Sequence, residues 1–153
     1  MVSTNLVLGL LLTLLCLSLQ TGVSSWSVRY YIERTERAAA KGRRHPGFGP
    51  LTATTTAMLF ACFVRISLWA LLFVIPGQFA PFYDAAYHSA VNFATLGHGD
   101  IVMQAEWKLL GPLEAINGSM MLGMIAAALM AMLQHMTKAA LVARLPRRQS
   151  NGT

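Results

Sequence analysis

The sequence predicts an all-α membrane protein: three helices that cross the bilayer, with a shorter re-entrant helix between the last two. Three observations carry this. Hydrophobic residues make up 55% of the 153 positions and charged residues only 12%, about half the charge of an ordinary soluble domain. The mean hydropathy is +0.50. The apolar residues gather into three long runs, each near the ~20 residues that a spanning helix needs. The net charge of +6 suits either nucleic acid or anionic lipid. The apolar runs select lipid, and no aromatic RNA-binding pattern or long basic groove-reading helix is present. The expected partner is therefore the lipid bilayer, and nucleic acid is not expected.

The first element is an N-terminal membrane anchor over 1–23. Its apolar core is "LVLGLLLTLLCLSLQTGV", Leu6–Val23. A cleaved signal peptide is the rival reading, because the small residues of "TGVSS" follow the run. The preceding "MVSTN" has no Lys or Arg, whereas a signal peptide begins with a basic stretch. A retained anchor is the expectation.

A basic linker follows over 24–50. It holds Arg29, Arg34, Arg37, Lys41, Arg43 and Arg44 against Glu33 and Glu36. Arg29–Arg44 reads either as a helix lying on anionic lipid or as a solvated linker. The Gly- and Pro-rich "KGRRHPGFGP" is expected to be irregular.

The second span is expected over 51–76 and the third over 109–134. Each carries an isolated charge, Arg65 and Glu114. A charge at mid-membrane costs about 2.5–3.5 kcal/mol on insertion scales. One arginine is too few for a voltage sensor, so a structural role is expected. Arg65 would pair either with Glu114 or with polar groups of the short helix. That short helix is expected over 81–95, opened by Pro81 and capped by Asp84. At about 14 residues it is too short to cross. The chain ends in a basic tail over 136–153, with Lys138, Arg144, Arg147 and Arg148 and no acid.

Charge sets the orientation. Basic residues in short loops stay cytoplasmic. The linker and tail are both basic, while Gly77–Lys108 holds Asp84, Asp100 and Glu106 against Lys108 alone. Two spans around the acidic loop put linker and tail on the same side. The expectation is a multi-pass protein of a cell membrane, of the bacterial inner-membrane type, with the N-terminus outside and the C-terminus cytoplasmic.

The chemistry sits in "FATLGHGDIV", residues 93–102. The short helix ends as the glycines begin, and a helix C-terminus carries partial negative charge that favours a cation. Glycines at alternate positions permit backbone conformations that other residues resist. Successive carbonyls can then face one axis. One chain offers too few oxygens to replace an ion's water shell; four copies offer stacked rings of them. Irregular backbone at membrane depth is tolerated only around such a lined path.

This arrangement of span, re-entrant helix, "TLGHGD" and span resembles the pore domain of tetrameric potassium channels with one pore loop per chain. The following "EWKLLGPLEAINGSMMLGMIAAALMAMLQ" is similar to small bacterial pore-loop channels. The resemblance covers residues 52–135 and implies a pore domain over 51–135. The family's filter reads Thr-Val-Gly-Tyr-Gly, usually followed by Asp. Thr95, Gly97, Gly99 and Asp100 match; Leu96 replaces Val and His98 replaces Tyr. The resemblance implies a filter over 95–100. Backbone carbonyls of Thr95, Leu96, Gly97 and His98, with the Thr95 hydroxyl, would coordinate potassium. Gly99 would shape the outer mouth, and Asp100 would sit there and concentrate cations. Potassium is the permeant ion by resemblance, and no cofactor is implied.

His98 is the main departure. In the family that side chain braces the filter, and imidazole offers hydrogen bonding toward His88, Asn92 or Tyr87 with less packing area than a phenol. A looser cuff would relax selectivity over sodium.

In the last span Ser119, Gly123, Ala127 and Ala131 form a small-residue stripe. Its plain reading is close helix packing; its functional reading is a gating hinge at Gly118 or Gly123. Met124, Ala128 and Met132 are candidates to line an inner cavity. Cys16 and Cys62 read as buried hydrophobes. His45, His88, His98 and His135 are scattered without ligand spacing, and no nucleophile–base set is evident. The expected function is a homotetrameric ion channel with neither catalysis nor small-molecule substrate. The alternative is a non-conducting membrane regulator that keeps the pore fold.

Overall fold

The computed structural model describes residues 2–41, 48–99 and 101–144. Four helices follow in order: α1 (Val2–Ala40), α2 (Gly49–Val74), α3 (Phe82–Phe93) and α4 (Leu110–Arg144). All regular structure among the described residues is helical. α1, α2 and α4 are long and apolar enough to cross a membrane. The chain is thus an all-α, multi-pass membrane protein, as its hydropathy predicts.

α2 starts at Gly49 with a proline in its first turn, where the missing N–H costs nothing. It ends at Val74 just before Pro76, and Gly77 adopts φ +73°. The Gly77 N–H bonds the Val74 carbonyl and the Gln78 N–H bonds the Phe73 carbonyl, at 2.8 and 3.2 Å. These two bonds are a Schellman cap. α3 begins after Pro81. Asp84 lies inside its first turn, and no side chain caps the helix. The charge of Asp84 there complements the helix dipole, in place of the capping bond expected of it.

α1 and α4 run parallel, and α2 runs against both. At one end Asn5 Nδ2 donates to the Glu106 carbonyl, at 3.4 Å. At the other, Tyr31 and His135 meet edge to face at 6.1 Å. The C-terminal parts of α1 and α4 therefore share one end of the bundle, and the loop before α4 lies at the other. α1 packs on α4 and on α2, while α3 packs between α2 and α4. Direct contact between α2 and α4 is slight.

The first helix differs from the expected anchor and linker. It does not stop near Val23 but continues to Ala40. The reason is its buried face. Asn5, Gly9, Thr13, Cys16, Gln20, Ser24, Ser27, Tyr31 and Thr35 are buried, at a repeating spacing of four, four and three. This face is mostly small or polar, while Leu8, Leu11, Leu15 and Leu19 are exposed. In lipid, apolar side chains gain nothing by facing another helix; small and polar ones do. α1 is therefore held by close approach and hydrogen bonding, with Gly9 lying against Leu110 and Leu113. The same face runs past the apolar run, so the helix continues along α4 as far as the Tyr31–His135 contact. Residues 42–47 of the expected linker lie outside the described residues, as does the tail beyond Arg144.

Candidate functional site

α3 is held at the loop end by contacts to both neighbouring spans. Ser89 Oγ donates to the Ile66 carbonyl of α2 at 3.0 Å and also bonds Glu114 of α4. Asn92 Nδ2 donates to the other Glu114 oxygen at 3.2 Å. Glu114 is fully buried, so these bonds replace the water it has lost. His88 is set among Phe73 and Phe79, with centroids at 5.5 and 5.1 Å. Its Nδ1 lies 3.0 Å from the Ile101 carbonyl, which ties the returning chain to α3.

Arg65 and Glu114 do not pair. The ion pair found among the described residues joins Arg37 and Glu33, and both Glu114 oxygens are turned to α3. Arg65 is 2% exposed, and its Nε and Nη1 have no hydrogen-bond partner among the described residues. Sequence supplies the depth of each charge but not its rotation about the helix axis. The polar groups of α3 accordingly meet Glu114 rather than Arg65.

The C-terminus of α3 is closed by a second Schellman cap. The Thr95 N–H bonds the Asn92 carbonyl and the Leu96 N–H bonds the Val91 carbonyl, both at 2.9 Å. Thr95 takes the position that Gly77 takes after α2, with φ +57°. A threonine in this left-handed region carries about 1–2 kcal/mol of strain. Gly97 and Gly99 follow with φ +59° and +72°, while Leu96 and His98 keep negative φ. The sign of φ thus alternates residue by residue over 95–99. A Cβ at Gly97 would meet no other atom within 4 Å; glycine is needed there for its conformation, not for space. Residues 94–99 are all exposed. Asp100 lies outside the described residues.

Behind the loop is a cavity of about 170 Å³, lined by Tyr87, His88, Asn92, Gly97, Gly99 and Lys108 among others. His98, expected to brace the loop toward His88, Asn92 or Tyr87, faces outward in the single chain. It is exposed, and His88 and Asn92 are engaged with Ile101 and Glu114.

Below the loop, α4 meets the end of α3 closely. A Cβ on Gly118 would overlap the Phe93 carbonyl. Gly118 is thus a point of close approach, whereas a Cβ on Gly123 would meet nothing within 4 Å. The stripe Ser119, Gly123, Ala127 and Ala131 is exposed in the single chain, so it does not serve packing between the chain's own helices. Met124 is half-buried. Ala128 and Met132 are buried with Tyr31 and Met58, which turns them toward α1 and α2 rather than toward an inner cavity. Sequence reading misses the polar face of α1, although its four-four-three spacing is visible once sought. It also misses the Ser89–Glu114–Asn92 cluster, which no spacing rule announces.

Among curated proteins and among solved structures, nothing matches the chain. A family profile described as "Ion channel" matches residues 56–135. That range holds most of α2, all of α3, the alternating loop and α4 through His135, which are the parts that build the site. The chain belongs to this ion channel family.

Proposed function

We propose that four copies of the chain form a potassium channel whose selectivity filter is the Thr95–Gly99 backbone. The observation that carries this reading is the alternating sign of φ at Thr95, Leu96, Gly97, His98 and Gly99. Such alternation turns successive carbonyls to one side, and a row of them replaces an ion's hydration shell when four copies surround an axis. The exposure of 94–99 in one chain fits a loop that faces other copies. The exposed Ser119 and Gly123 of α4 supply small residues at which helices of different copies can meet closely. Conduction is passive and involves no bond making. The N-terminus and the loop before α4 lie outside the cell, and both basic segments lie in the cytoplasm, in line with their charge.

The open cavity behind the loop and the exposed His98 bear on selectivity. A filter braced by less packing tolerates a smaller ion better, so potassium is preferred over sodium by a smaller ratio than a tightly cuffed filter gives. The deciding experiment is ion flux through purified protein in liposomes, under potassium and then sodium gradients. Potassium flux in excess of sodium supports the filter. Equal fluxes replace it with a non-selective cation pore. No flux over a range of pH and voltage turns the reading to the non-conducting regulator.

A further inference from the structure

We propose that the groove between α1 and α4 binds the headgroup of an anionic glycerophospholipid, with Arg29 as the phosphate ligand. The groove is lined by Thr21, Ser24, Ser25 and Arg29 of α1 and by Met124 and Ala127 of α4, among others. The α1 side carries three hydroxyls and a cation beside Val28; the α4 side is apolar throughout. That division matches a lipid at its headgroup, where phosphate and ester oxygens meet the first methylenes of the acyl chains.

Depth agrees with this occupant. From Leu6 to Trp26 a helix rises about 30 Å, the thickness of the hydrocarbon layer. Trp26 is 57% exposed and stacks on Tyr30 at 5.5 Å, and Arg34 lies over the Tyr30 ring at 5.4 Å. An exposed tryptophan with a tyrosine at its level marks a membrane–water interface. Arg29 is about one turn beyond Trp26, within the headgroup layer.

Charge selects the lipid over a second copy of the chain. Arg29 has no ion-pair partner among the described residues, whereas Arg37 is bound to Glu33 at 3.1 Å. A second copy would have to offer an acid at this level. Its Glu33 is engaged in the same way. Its Glu36, in a copy running parallel about a shared axis, lies about 10 Å further along the helix than Arg29. Glu106 is at the opposite end beside Asn5, and Glu114 is buried. An anionic lipid brings its own charge to the cation.

The test uses the full chain in phosphatidylcholine vesicles with increasing phosphatidylglycerol. Trp26 fluorescence, taken as the difference between wild type and Trp26→Phe, is quenched with brominated forms of each lipid. Brominated phosphatidylglycerol is expected to occupy the site about fivefold more strongly than brominated phosphatidylcholine, the factor that one basic side chain supplies near an anionic surface. Arg29→Gln brings that ratio to one, Arg29→Lys keeps it, and Arg37→Gln leaves it near the wild-type value. An equal ratio in wild type, or an Arg29→Gln chain that still prefers phosphatidylglycerol, overturns the proposal. So does displacement of the lipid by millimolar inorganic phosphate, which would assign the site to the free anion. Disulfide bridging between copies of the Ser25→Cys variant would place a second copy in the groove and overturn it too.

Discussion

Thr95 and Gly77 occupy the same place in the same cap, one as threonine and one as glycine. Only the second is free of strain there. Thr95→Gly should therefore leave thermal stability unchanged or raise it by up to ~1 kcal/mol, while it removes the hydroxyl from the proposed filter. Melting and flux would then part: the fold holds and potassium preference falls. A chain that loses both would show Thr95 to be structural. Gly97→Ala makes the complementary test. It forces a side chain into φ +59°, at a cost of about 1–3 kcal/mol, at a point where the added methyl meets no other atom within 4 Å. Flux should be lost while the helices stay folded by circular dichroism. Gly118→Ala acts otherwise, because its methyl meets the Phe93 carbonyl. Overpacking of this kind costs about 1–3 kcal/mol, and the loss should appear first as a lower melting temperature.

Helices are tied together here by a few polar side chains. Glu114→Ala leaves the Asn92 amide without its acceptor, a loss of about 1–3 kcal/mol, and should loosen α3 from α4. Glu114→Gln keeps one oxygen acceptor and should recover most of that stability; equal melting of the two variants would deny the clamp its role. The element scale is also where sequence and structure part. The two spans of the matched region and the short helix between them are legible because hydropathy and length set them directly. The loop is legible because glycine recurs at alternate positions. Thr95 in the left-handed region is not, since nothing in threonine's own preferences puts it there. The extension of α1 to Ala40 is hidden by composition: residues 24–40 look like a solvated linker until their buried face is aligned with α4. Arg65 and Glu114 are legible as isolated charges within spans, but not in their partners, because hydropathy carries no information on rotation about a helix axis.

For the whole molecule, the parallel course of α1 and α4 makes a geometric demand. The variants Lys41→Cys and Gln104→Cys should be labelled from opposite sides of a sealed vesicle. Labelling of both from one side would break the arrangement of three crossings. Cross-linking in native membranes should stop at four copies. A ladder that stops at two would remove the ion path, since the carbonyls of two loops cannot enclose an ion.

The polar face of α1 also bears on how the protein is made. α1 leaves the ribosome long before α4, yet its Asn5, Thr13, Gln20 and Ser27 are buried in the finished bundle. Until the later helices arrive, these groups face lipid or the insertion machinery. The exposed leucines of α1 favour its entry into the bilayer. The burial of its polar groups is completed by late contacts such as that of Asn5 with the Glu106 carbonyl, made between residues 101 positions apart. A nascent chain halted before Leu110 should be recognised by quality control as unfinished.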